Sequence, residues 1–281
     1  FRVASVSKPI TVIAILKLVQ DGVLNLSDTV FGVNGLLEND FGTPPYGNNI
    51  ELITVKHLLD HTSGWTNDPF DPMFANITWT QKQVIDDMLN NRPLVTQPGE
   101  TYYYSNFGYL VLGRIVEKVT GSAYDTYLKQ DILSPAGIST MEIANNSITE
   151  KWPNEVEYFS QENFNPYTQM NTHRMDSHGG WVSNAKDLAR LLVLVDGGNK
   201  VADILDSSTL SNSYIGFNDW WFAGSLPGTS TVVGKMGSGY QYIILTNTRP
   251  ATDIFEIITD MQALMQSRIE SRSSWPNYDL F

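Results

Sequence analysis

Pro9 constrains the start of this fold more than any other single residue. It opens an apolar run, Pro9 to Val19, interrupted by Lys17. Proline has no N–H and is tolerated only in a helix's first turn. The apolar positions Ile10, Ile13, Ala14, Leu16 and Leu18, with Val12 and Val19, then suit a largely buried helix. The helix is predicted to begin near Ser5 to Lys8 and to stop around Asp21-Gly22. A buried helix needs other elements around it, and 281 residues are enough for one large domain or two smaller ones with a real core. Eleven residues with a lysine among them are too few to span a bilayer, so no membrane span is expected. No signal peptide is visible ahead of Ser5.

Beyond that helix the pattern is helical in the middle and strand-like near the end. Thr54 is placed to cap a short helix through Asp60. Further helices are predicted over Thr80 to Asn90, Phe107 to Thr120, Tyr124 to Leu133, a segment capped by Asn184, and Asp253 to Arg268. Residues 152–180 show no period, as is common for stretches bordering a site. Thr229 to Val233 and Tyr240 to Thr246, separated by Gly237-Ser238-Gly239, read as a hairpin.

Composition excludes several function classes. The net charge of −12 argues against a nucleic-acid partner and against docking on anionic lipid. The absence of cysteine excludes disulfides, thiolate catalysis and cysteine-based metal sites. His57 and His61 are four apart, but Leu58 stands where a zinc hydrolase needs Glu, so no metal or other cofactor is expected. Asn25, Asn76 and Asn145 fit the glycosylation sequon and are expected at the surface.

Two short motifs carry chemistry. Ser5-Val6-Ser7-Lys8 fits S-x-x-K; at a helix N-terminus the hydroxyl and amine share a face, and a desolvated lysine can serve as a base. Tyr104-Ser105-Asn106 supplies a phenol that can shuttle a proton and an amide that can hold Lys8 or a substrate carbonyl.

Phe1 to Ile10, His61-Thr62-Ser63-Gly64, Pro98-Gly99-Glu100, Tyr104 to Tyr109, Gly179-Gly180-Trp181 and Gly224 to Thr229 together resemble the penicillin-recognising serine hydrolases. That group comprises class C β-lactamases, D-amino-acid peptidases and related esterases. The resemblance implies an α/β (α+β) fold, an antiparallel sheet flanked by helices with an inserted, mostly helical region. Residues 1–50 and 201–281 would form the α/β part, and 51–200 the insertion. It implies acyl-enzyme formation on Ser5, with Lys8 and Tyr104 handling protons, Asn106 positioning, and the backbone N–H groups of Ser5 and Ser225 as oxyanion donors. Gly224, Trp221, Phe222 and His178 would border a small-molecule or peptide substrate. In such proteins a helix and two strands precede the nucleophile, so a separate N-terminal segment or chain completing the sheet is expected. The expected location is secreted or extracytoplasmic.

One residue departs from the group. Its third motif begins with Lys or His, and here the matching residue is Phe222, which offers no charge and no hydrogen bond. Two readings follow: a hydrolase tuned to uncharged substrates, or a catalytically silent binding or structural member. The segment before it, Ser213 to Trp221, reads as shortened.

Overall fold

The computed structural model describes residues 1–198, 201–211 and 220–276. Residues 1–6 lead into helix α1 (Ser7–Gln20), whose side chains are buried almost all the way round from Ser7 to Leu16, as its mostly apolar composition favours. Helices α2 (Val55–Leu59) and α3 (Gln81–Asn91) start at Thr54 and Thr80, each closing a capping box with the residue three positions on. His57 is that third residue in the first box; its Nδ1 accepts from the Thr54 N–H at 3.2 Å.

Helix α4 (Asn106–Thr120) lies against α1 and buries Phe107 through Val116. Ser105 caps its start, and Gly121 ends it in the left-handed region at φ 68°, where a side chain would be strained. Helix α5 (Tyr124–Tyr127) widens into a π-helical turn over Leu128–Leu133 rather than continuing as the single helix expected there. Strands β1 (Glu142–Ile143), β2 (Phe159–Ser160) and β3 (Trp181–Val182) are two residues each. Helix α6 (Ala185–Val193) follows the Asn184 cap, and α7 spans Ser207–Ser211.

The larger sheet is antiparallel, ordered β4 (Trp220–Leu226), β5 (Thr229–Lys235), β6 (Gln241–Thr246). Short β7 (Thr248–Arg249) pairs in parallel with β2. Helix α8 (Ile254–Glu270) covers one face of the sheet, where Ile258 and Ile269 meet Val232 and Tyr242. The other face joins the main core through Val233, with Phe222 and Ile243 packed against it. The fold is therefore the expected sheet between helices. Most of the segment from Ser213 to Trp221 lies outside the described residues. Asn25 and Asn76 are exposed, and Asn145 is half-buried.

Candidate active site

The first three residues fix the position of Ser5. Val3 donates its N–H to the Trp181 carbonyl at 2.9 Å, Ser183 donates to the Phe1 carbonyl at 2.8 Å, and Arg2 bridges Val182 as a strand would. The Arg2 side chain is fully buried beside Glu155 and the Tyr158 ring. The chain then turns through Ala4 at φ 48°, a left-handed conformation that a non-glycine residue adopts only when its surroundings hold it there. A 3₁₀ turn over Ala4–Val6 follows, so Ser5 sits just ahead of α1, one turn from Lys8. On the far side, a Cβ at Gly224 would fall 2.2 Å from the Val3 carbonyl and 3.1 Å from the Ser5 nitrogen. Gly224 thus lets the edge of β4 lie directly on the segment that carries Ser5.

Two groups converge on the Ser5 oxygen. The Tyr104 phenol donates to Oγ at 2.9 Å, and Lys8 Nζ lies 3.3 Å from it. Lys8 Nζ also donates to Asn106 Oδ1 at 2.7 Å and to the His178 carbonyl at 3.0 Å. A free amine has two N–H bonds and one lone pair. With both N–H bonds taken by carbonyl oxygens, the third direction points at Ser5. Burial pushes Lys8 down to about 7, opposed by the charge of Asp71. Tyr104 moves the other way: loss of water raises its pKa, moderated by the Ser5 hydrogen bond, so it remains a phenol near neutrality.

Tyr104 and Asn106 are held from behind. His61, in the left-handed region at φ 58°, accepts the Ser105 N–H at Nδ1 (3.0 Å), and its ring lies 4.8 Å from the Tyr104 ring and 5.0 Å from the Tyr109 ring. Burial, with the Lys8 charge, lowers His61 to about 4, so it accepts as a neutral ring. Asn106 donates its Nδ2 to Asp71 at 2.6 Å.

Ser5, Tyr104, Asn106, His178 and Ser225 open onto one cavity of about 620 Å³. Its remaining wall is mostly apolar and includes Phe74, Met175, Leu226, Ile258 and the almost fully exposed Phe255. Arg249 also lines it; its guanidinium pairs with Glu162 and donates to Ser225 Oγ at 3.3 Å. His178 is buried, its Nε2 has no hydrogen-bond partner, and burial holds its pKa well below the usual histidine value.

Three residues expected at the substrate do not line this cavity. Trp221 opens onto a separate depression with Lys235, Met236 and Gln266. Phe222, next along the strand, points to the opposite face, where it meets Trp220 (ring centroids 5.6 Å apart) and the main core. Gly224 serves the backbone contact already described. Conversely, Asp71, Phe74 and Arg249 carry no motif; only their tertiary placement brings them to the site. Among the described residues no group of three or more metal-ligating side chains assembles, and no helix is long and apolar enough to cross a membrane.

The beta-lactamase family model matches residues 1–255. Among curated proteins, the chain is 33% identical to penicillin-binding protein 4* of Bacillus subtilis over 169 residues, covering 57% of this chain and 33% of that protein. It is also 33% identical to protein flp of Staphylococcus aureus over 141 residues, covering 48% of this chain and 26% of that one. The match thus spans no more than about a third of either relative. Among solved structures, D-amino acid amidase from Ochrobactrum anthropi SV3 superposes with a TM-score of 0.74 at 22% identity, covering 97% of this chain and 86% of that one. The octameric penicillin-binding protein homologue from Pyrococcus abyssi gives 0.71 at 22%, covering 95% and 66%. With its family match running over nearly the whole length, the chain belongs to the beta-lactamase family.

Proposed function

We propose that the protein is a serine hydrolase that forms an acyl-enzyme on Ser5. Ser5 Oγ attacks a carbonyl carbon while its proton passes to Lys8 Nζ, and the carbonyl π bond opens onto oxygen. The backbone N–H groups of Ser5 and of Ser225, the residue after Gly224, stabilise that oxyanion; the close packing of Gly224 on the Ser5 segment supports this assignment. As the intermediate collapses, the leaving group takes a proton through the Tyr104 phenol, which is replenished from Lys8. Water then attacks the ester by the reverse route and releases the acid.

The observation that carries this reading is the arrangement around Lys8. Both N–H bonds of its free amine are engaged by Asn106 and His178, leaving the lone pair for Ser5. The apolar cavity favours esters or amides with apolar substituents, and it suits a short p-nitrophenyl ester better than a chromogenic cephalosporin. Phe222 is the observation behind the second reading, a silent member that binds without turning over. Its placement in core packing argues that the residue is a structural substitution rather than a disabled catalyst. Intact-mass analysis after treatment with a fluorophosphonate should show one adduct, absent in Ser5→Ala. Failure of the parent chain to react with any serine-directed reagent would favour the silent reading.

A further inference from the structure

We infer that Asp71 is a positioning residue: it fixes the orientation of the Asn106 amide and thereby aims the Lys8 lone pair at Ser5. The inference rests on the serine-hydrolase reading above and extends it to a residue outside the two motifs.

An ionised carboxylate only accepts hydrogen bonds. Asp71 Oδ2 accepts from Asn106 at 2.6 Å, so the Asn106 group facing Asp71 must be its NH₂, and the group facing Lys8 must be its carbonyl oxygen. Without that constraint the amide is free to rotate by half a turn. Its NH₂ would then donate to the Lys8 nitrogen, occupy the lone pair and draw it away from Ser5. Asp71 does not line the cavity, so it acts through Asn106 and not on substrate.

Asp71 is itself held on both sides. Its Oδ1 accepts the Met73 N–H at 2.9 Å. The loop that follows is clamped by the buried Arg174 guanidinium, which donates to the carbonyls of Met73 (2.8 Å), Ala75 (3.1 Å), Asn76 (2.8 Å) and Trp79 (2.9 Å). The same loop presents Phe74 to the cavity wall.

Asp71 also bears on the basicity of Lys8. Lys8 is surrounded by the Tyr104 and Tyr109 rings (4.7 and 5.7 Å), by His61 and by His178. Burial first, and then the Lys8 charge, lowers both histidines and keeps them neutral near pH 7. Arg174 is engaged by the carbonyls of the Asp71 loop. Asp71 is the negative charge that counters the desolvation of Lys8 and keeps its pKa from falling further. A base works best with a pKa near the working pH, so this charge preserves a base of useful strength.

Asp71→Asn separates the two roles a carboxylate there could have. The variant has one oxygen for two donors. If that oxygen keeps the Met73 N–H, the loop stays capped, the new NH₂ faces Asn106, and the Asn106 amide must turn its own NH₂ toward Lys8. The test is the second-order rate constant for Ser5 phosphonylation by a fluorophosphonate, measured from pH 5 to 9 on the parent, Asp71→Asn and Asp71→Ala, with thermal melts alongside. For Asp71→Asn the expected result is a plateau rate lower by roughly tenfold or more, an inflection moved to lower pH, and a melt close to the parent's. Asp71→Ala should lower the rate and move the inflection in the same direction, with some loss of stability. An unchanged inflection and plateau in folded Asp71→Asn would overturn the inference. So would failure of both variants to fold, which would assign Asp71 to the loop alone. If the parent itself does not react, the hydrolase reading fails before the question of Asp71 arises.

Discussion

Lys8 is 5% exposed, and its place among two carbonyl oxygens and two aromatic rings explains why it can be a base at all. Removing it should abolish the proton transfer while leaving Ser5 in place. Lys8→Met is therefore expected to slow fluorophosphonate labelling by about 10²–10⁴-fold, and a labelling rate within a few-fold of the parent would count against a general-base role. Phe222 belongs to the core at this scale. Phe222→Ala should cost about 2 kcal/mol, less than a fully buried phenylalanine because the ring is only half-buried. Denaturant unfolding measures that cost, and the Ser5 labelling rate should stay near the parent's. Ser5, Lys8, Tyr104 and Asn106 were legible in the sequence because the chemistry needs those residue types at short, fixed spacings. Asp71 and Arg249 were not, since each meets its partners only through the fold: Asn106 is 35 residues from Asp71, and Glu162 is 87 from Arg249.

The helices announce their boundaries through local chemistry. Thr54, Thr80, Ser105 and Asn184 each cap the helix that follows, and each accepts a backbone N–H three residues on. Thr80→Ala should cost about 1 kcal/mol, read as a shift in the unfolding midpoint with the slope unchanged. The two-residue strands escaped notice because alternation needs more residues to be visible; they exist through pairings such as Ile143 with Trp181. The sheet also contains the most exacting contact of the site. Gly224→Ala would place a methyl 2.2 Å from the Val3 carbonyl, so β4 must withdraw from the segment that carries Ser5. The expected cost is roughly 1–3 kcal/mol, accompanied by loss of Ser5 labelling as the Ser225 N–H moves off. Full labelling in Gly224→Ala would show that β4 does not help to build the oxyanion site.

Across the molecule, the site is an interface between elements far apart in sequence: the first eight residues, the start of α4, the loop before α3, the turn ending at His178 and the edge of β4. The sequence motifs identified the other segments individually, but not the loop before α3, the Arg174 clamp on it or the cavity wall they share. This arrangement ties stability to acidity. His61 is neutral in the fold down to about pH 4, whereas in the unfolded chain it takes up a proton near 6.5. Its folded pKa is lowered, so the unfolded state binds more protons between those values, and stability falls as pH drops from about 6.5 to about 4. The loss is at most on the order of 3 kcal/mol. Buried His178 acts in the same direction. Unfolding curves at pH 7 and pH 4.5 should show this loss, and His61→Gln should reduce it; an undiminished loss in that variant would remove His61 from the account.

The central claim is that a buried lysine, deprotonated near neutrality, activates Ser5. The pH dependence of Ser5 phosphonylation in the parent protein tests it most directly, because the label reports one oxygen and requires no knowledge of the substrate. The rate should rise through an apparent pKa of about 7, the value to which burial lowers Lys8. An inflection near the ordinary lysine value of about 10.4, a rate independent of pH, or no adduct at any pH would contradict it.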